Sequence, residues 1–418
     1  MGFARGRRRV AMAVAALVGA GAVAVVVHRV LAPAEVDTPA RAGYPAAVTP
    51  AVGVVGRLPV APLIVDGRLR VYAATRQVYA DQPADSRYRV TPYWSYRRWP
   101  AEVSGVVAEG TTVVSRWSDG KLVALDARTG GVAWEADGPA PAEGWTARRT
   151  GAGAVWDPPG LYLARAADSR PVLVVSGADG VRGIALADGR QLWSADVDGG
   201  CRTDVATTAA GQFVAVDRCA AGPATVEFRD VVTGAQTTRW APPGATAELA
   251  VTPVGCVSHR SRCRGLRTTG PADGAGHGWL VGEGSPVAAP ALDPAGSELD
   301  GERVVAVADG AVTGRAARTG EELWRRADLG SARIVAAQPG RVHLLTEAND
   351  LVTLDPSSGA ERSRFSLDVG RDGIGWAPGL AYAGGGYVAV ERLREPVDPD
   401  ADDQRYFLTS EPVVLAAT

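Results

Sequence analysis

A chain of 418 residues with 51 Gly, 28 Pro and 22% charged residues has the turn-rich composition of a folded protein, which excludes a disordered or collagen-like chain. The formal net charge is −2. Five arginines and no acid stand before residue 32, so the remainder carries −7, which argues against nucleic acid as a partner.

The chain opens with a basic stretch, residues 1–9, in which Arg5, Arg7, Arg8 and Arg9 precede an uncharged run from Val10 to Val27. At a helical rise of about 1.5 Å per residue that run reaches roughly 27 Å, close to the thickness of a bilayer core. The expectation is one N-terminal transmembrane helix or signal segment over 10–31. A retained span would put the basic end in the cytoplasm and the rest outside, as a single-pass protein of the cell membrane. The alternative is secretion after cleavage near Ala32-Pro33-Ala34. No cysteine lies near this segment to carry a lipid. A linker over 32–47 and one large domain over 48–418 are expected to follow.

That domain repeats. Ala124-Leu125-Asp126-Ala127-Arg128-Thr129-Gly130-Gly131-Val132-Ala133-Trp134 recurs in altered form as Ala185 to Trp193, Asp230 to Trp240, Ala317 to Trp324 and Leu354 to Phe365. Each copy reads as an apolar strand, an Asp-x-x-Thr-Gly turn and a short strand ending on an aromatic ring. Asp and Thr can bond the turn backbone, and Gly accepts the positive φ of a tight reversal. Aromatic marks at Trp94, Trp134, Trp193, Trp240, Trp279, Trp324 and Phe365 recur every 40 to 45 residues or so, with one longer interval that can hold an insertion near Pro139 to Pro159. Upstream of each copy lies another pair of apolar strands. The fold class is therefore all-β, a β-propeller of four-stranded blades, with eight favoured over seven and closure by an early strand around Val48 to Val55. Strands are also expected over Ala381 to Leu393, Tyr406 to Thr409 and Val413 to Ala416.

The segment Ala124 to Trp134 resembles the tryptophan-docking repeat of pyrroloquinoline-quinone (PQQ) dehydrogenases and of their non-enzymatic, BamB-like relatives. Ala124, Asp126, Thr129, Gly130 and Trp134 match its signature, and Gly131 replaces the lysine that often follows the glycine. The resemblance implies that Trp134, Trp193, Trp240 and Trp324 pack between blades. It also raises the possibility of a quinoprotein enzyme. The sequence does not bear that out: no two cysteines are adjacent and no calcium-ligand set can be placed, so no catalytic, cofactor or metal residue is assigned and no cofactor is expected.

Cys201 and Cys219 flank a turn at Gly211-Gln212, and Cys256 and Cys263 flank one at His259-Arg260. Opposed positions on antiparallel strands suit a disulfide, which predicts two local bridges, with a Cys/His metal site at His259 as the alternative. The acidic run Asp398 to Asp403 lacks the Gly and Glu of a calcium loop and reads as a solvated turn. His259, His277 and His343 lack a nucleophile and an orienting acid. Arg260, Arg262, Arg264 and Arg267 form a basic turn, either solvated or a contact for an anionic envelope polymer. The function expected is that of a non-catalytic binding or scaffold protein of the cell envelope. Its partners would be envelope proteins or a cell-wall polymer, and the membrane through the N-terminal helix. A PQQ-dependent enzyme and a sensor ectodomain with a membrane partner are the alternatives.

Overall fold

The computed structural model of the protein describes residues 34–142, 150–197, 200–270, 275–368, 375–394 and 411–418, together with Gly19, Gly21 and Val23. Eight antiparallel sheets follow one another, seven of four strands and one of five, which makes an eight-bladed propeller. Blade 2 shows the plan. Val103–Glu109, Thr112–Trp117, Lys121–Asp126 and Val132–Asp137 run in order from the innermost strand to the outermost. Innermost strands of neighbouring blades pack on one another and face the axis.

Stacking explains the composition of the middle strands. Leu122, Val123, Ala124 and Leu125 are all fully buried, because alternate residues serve two different interfaces. Val123 and Leu125 pack towards blade 1, and Leu122 and Ala124 towards Leu161, Leu163 and Leu173 of blade 3. Each such Val or Leu contributes on the order of 1.5–3 kcal/mol. Covered on both faces, these strands read as continuous apolar runs instead of alternating ones. The outermost strand is solvated apart from its ring: Val132, Ala133 and Glu135 are exposed while Trp134 is buried.

The ring closes in blade 8, where Ala377–Gly384, Tyr387–Leu393 and Val413–Ala417 are completed by Gly53–Leu58 as outermost strand. The register pairs Gly53 with Ala417 and Leu58 with Val413. The closing strand thus lies slightly later than Val48 to Val55. Part of the expected linker is also a strand, Ala34–Thr38, which adds a fifth, outermost strand to blade 1 beside Trp94–Trp99.

The N-terminal expectation is corrected. No helix among the described residues is long and apolar enough to cross a membrane. A span needs about 20 consecutive apolar helical residues, and of 10–31 only Gly19, Gly21 and Val23 are described. The transmembrane helix, and with it the single-pass placement in the cell membrane and the membrane as a partner, is therefore not supported. The basic stretch 1–9, the acidic run Asp398 to Asp403 and the strand expected over Tyr406 to Thr409 lie outside the described residues.

Candidate functional site

Two features could serve function: the contacts between blades and the axis of the ring. In the signature turn of blade 2, the Asp126 carboxylate accepts the Arg128 N–H at 2.9 Å and the Thr129 hydroxyl accepts the Gly131 N–H at 3.2 Å. The Gly130 N–H reaches the Asp126 carbonyl at 2.7 Å, and Gly130 takes φ 74°, a left-handed conformation natural only to glycine. The absence of a side chain there has a second use. A Cβ on Gly130 would stand 2.4 Å from the Cβ and 2.6 Å from the ring of Trp94 in blade 1.

This contact is repeated around the ring. The Trp94 indole N–H donates to the Ala127 carbonyl at 2.8 Å, three residues before Gly130. Trp134 does the same to Leu186 at 2.8 Å over Gly189, Trp193 to Val231 at 2.7 Å over Gly234, and Trp324 to Pro356 at 3.0 Å over Gly359. Each of these four blades thus lays a ring on the turn of the next and satisfies one of that turn's carbonyls. Trp94 is a dock whose own turn lacks the signature. Trp240 stands apart: Thr238 occupies the position opposite Phe228 that corresponds to the docking ring, and Trp240, two residues on, meets Trp279 edge to face with centroids 4.8 Å apart. Trp279 lies in the third strand of blade 5, Gly276–Leu280, not in an outermost one.

The cysteines bond in local pairs, Cys201 with Cys219 and Cys256 with Cys263. The first ties the two innermost strands of blade 4, where Arg218 N–H also donates to the Cys201 carbonyl at 2.8 Å. The second closes a hairpin that leaves blade 5 and reaches across the axis. Thr207 of blade 4 exchanges backbone bonds with Arg260 and Cys263, at 2.9 and 2.8 Å. Ser261 accepts the Leu163 N–H of blade 3 at 2.9 Å. Arg262 pairs with Glu109 of blade 2 at 3.1 Å, and Glu109 also holds Arg165.

The long interval between Trp134 and Trp193 supplies the opposing piece. Residues 150–160 carry a short helix, Ala152–Val155, and then Trp156, which is 1% exposed and donates its indole N–H to the Pro62 carbonyl at 2.8 Å. Trp156 stacks on Tyr382 of blade 8 at 6.1 Å between centroids and 8° between planes, and Tyr382 stacks on His259 at 5.9 Å and 23°. Asp157 pairs with Arg260 at 3.0 Å, and Thr150 bonds Glu391. Burial holds His259 neutral, its pKa pushed down to about 4, and raises Tyr382 to about 12. Segments from blades 1, 2, 3, 4, 5 and 8 therefore meet in a packed hub.

Arg260 and Arg262 of the basic turn are consumed in this hub, and Arg267 donates to the Asp293 carbonyl at 2.8 Å. They do not form an open anion site. His259 stacks on a ring, while its neighbouring cysteines bond each other. The one cluster of metal-ligating residue types among the described residues is Cys201, Asp217 and Cys219, whose thiols are spent in the disulfide. His343 lies away from the hub within blade 7. The Gln338 carbonyl oxygen accepts the Gly386 N–H at 3.0 Å, so its amide faces His343 Nε2 at 3.0 Å and leaves the ring proton on Nδ1 towards Thr353.

A ring of blades, four of them joined by docked tryptophans, around a hub of the chain's own aromatic and ionic side chains defines a quinoprotein-like propeller with described residues lying across its axis. The chain belongs to the family described as outer membrane protein assembly factor BamB, which it matches over residues 54–243 and 286–408. No curated protein matches it. Among solved structures it is similar to BamB from Moraxella catarrhalis, at 14% identity and TM-score 0.46, covering 86% of this chain and 95% of that one. The C-terminal WD40 domain of Sif2 follows at 10% identity and TM-score 0.45, with 88% and 96% covered. The computationally designed Ika8 protein matches at 15% and 0.43, with 87% and 100% covered.

Proposed function

We propose that the protein is a non-catalytic β-propeller of the cell envelope that acts by binding and holding other envelope proteins, with residues 48–418 as the working unit. The observation that carries this reading is membership of the BamB assembly-factor family over most of the ring. The hub supports it. In the quinoprotein enzymes that the repeat resembles, a cofactor needs room at the axis, and here Trp156, Tyr382, His259 and Arg260 occupy it. Function then falls to the outer surfaces of a rigid disc.

The test is crosslinking of the tagged full chain in cells, paired with a cofactor assay on purified protein. The reading expects crosslinks to envelope-assembly proteins, and no quinone absorbance retained after incubation with PQQ and Ca²⁺ followed by desalting. Retained chromophore with dye-reducing turnover would overturn it.

A further inference from the structure

The longest link from a third strand to an outermost one lies in blade 1, where residues 82–93 join Gln77–Asp81 to Trp94–Trp99; blade 2 makes the same reversal in residues 127–131. No signature turn shapes this loop. A buried ion pair holds it instead. Arg70 and Asp81, both 0% exposed, bond side by side at 2.7 and 2.8 Å, and the Tyr72 hydroxyl donates to the same carboxylate at 3.2 Å. The guanidinium also donates into the loop, to the Ser86 carbonyl at 2.6 Å and the Tyr88 carbonyl at 2.9 Å, while Asp81 accepts the Val90 N–H at 3.1 Å. Gly56 of the closing strand gives a second support, since a Cβ there would collide with the Arg87 carbonyl.

This frame presents a run of exposed residues, Arg87, Tyr88, Arg89 and Val90, and the loop's one acid, Asp85, is half-buried. Tyr88 is 61% and Val90 39% exposed. Among the described residues the two arginines meet aromatic groups and not carboxylates: Arg87 lies over the Tyr88 ring at 5.4 Å, and Arg89 donates to the Tyr79 hydroxyl at 3.4 Å. Exposed arginines elsewhere on the rim are neutralised, Arg325 by Glu322, Arg362 by Asp355 and Arg364 by Glu361. Stability does not account for the arrangement. Desolvating an ion pair is costly, and well-packed apolar residues in its place often serve a fold as well or better. Here the pair's further hydrogen bonds fix the shape of a surface segment, which lowers the entropy lost when that segment binds.

We infer that residues 87–90 are a docking surface for an acidic segment of a partner protein. Two guanidiniums on either side of an exposed tyrosine suit carboxylates, which arginine grips in forked bonds while the ring packs on the partner's chain. Tyr and Arg are also the residues that carry much of the binding energy at protein interfaces. The chain from residue 32 onwards is net acidic, so this basic segment draws an acidic partner to one place on the ring. That the partner is a protein rests on the binding role proposed above.

The test places the photoreactive residue p-benzoyl-L-phenylalanine at position 90 of the tagged full chain, or at position 323 as control, irradiates cells and identifies the crosslinked peptide by mass spectrometry. Leu323 is 45% exposed on the outermost strand of blade 6. Position 90 should join a protein segment in which Asp and Glu outnumber Lys and Arg. The yield should be at least fivefold above that at position 323 and fall at least fivefold in Arg87→Glu combined with Arg89→Glu. Tyr88→Ala should lower it at least threefold, which keeps the test decisive if the charge reversal disturbs the fold. Equal yields at the two positions, a segment with no excess of acid, an adduct of lipid or polysaccharide, or a yield indifferent to these variants would each overturn the inference. Whole-chain crosslinks to envelope proteins with none from position 90 sink this assignment alone, and no protein captured from any position sinks the binding role with it.

Discussion

The Trp324 indole lies over Gly359, and its N–H ends on the Pro356 carbonyl three residues before that glycine. One ring thereby joins two blades by a flat apolar contact and a hydrogen bond, and needs a particular backbone conformation in the neighbour.

Removing such a ring should cost more than its position on an outermost strand suggests. For Trp134→Ala we expect a loss of about 3–5 kcal/mol. Trp134→Phe keeps a ring and leaves the Leu186 carbonyl unpaired, for about 1–3 kcal/mol. Trp240→Ala should cost clearly less, as that ring does not seat on a turn. Urea denaturation of the three variants checks the order, and equal losses for Trp134→Ala and Trp240→Ala would refute the docking role.

The turn glycines offer a matched pair. Gly359→Ala and Gly320→Ala share the cost of a side chain at positive φ, on the order of 1–3 kcal/mol. Only Gly359→Ala pushes a Cβ to 2.5 Å from the Trp324 ring, whereas at Gly320 a Cβ meets no described atom within 4 Å. We expect Gly359→Ala to be less stable than Gly320→Ala by a further 1–3 kcal/mol or so, measured as the difference in denaturation midpoint at unchanged slope.

Acid should weaken the fold through two histidines, the half-buried His259 of the hub and the buried His343. Burial holds His259 near 4 and His343 near 3, both below the ordinary 6.5. Below pH 6.5 the unfolded chain takes up protons that the folded chain refuses, so their stabilisation is complete above that value and is lost as pH falls towards 4. Well inside that window each histidine contributes a slope of about 1.4 kcal/mol per pH unit. Stability measured from pH 7 to pH 4.5 should fall, and His343→Gln should fall less steeply. An unchanged slope in that variant would rule out His343 as a source.

Loss of the hub disulfide should be felt across the ring. Cys256 and Cys263 enclose a short loop, and replacing both by serine should cost on the order of 2–3 kcal/mol. Amide exchange should quicken at Leu163 and Thr207, whose partners are Ser261, Arg260 and Cys263. Replacing Cys201 and Cys219 should cost a comparable amount but quicken exchange only within blade 4.

The blades were legible in the sequence because the turn does its work locally: Asp126, Thr129 and Gly130 build one reversal within five residues, and a ring follows at fixed distance. The hub was not. Trp156, Tyr382 and His259 come from segments more than 100 residues apart, share no period and meet only after the ring closes; the sole signal was the long interval before Trp193. Trp279 misled because blade 5 is irregular: its prominent ring lies on the third strand, and the outermost strand shrinks to Val287–Ala288. The uncharged run at 10–27 has the length of a span, but among the described residues no helix is long and apolar enough to cross a membrane.

Repeat proteins in which each unit touches only its neighbours tend to melt by stages, one unit at a time. The hairpin from blade 5 removes that freedom. By gripping blades 2, 3, 4 and 8 at once it couples opposite arcs of the circle, so loosening one arc releases contacts in the others. The ring should therefore melt in a single cooperative transition, with calorimetric and van't Hoff enthalpies in agreement, and keep a fixed outline for whatever it grips.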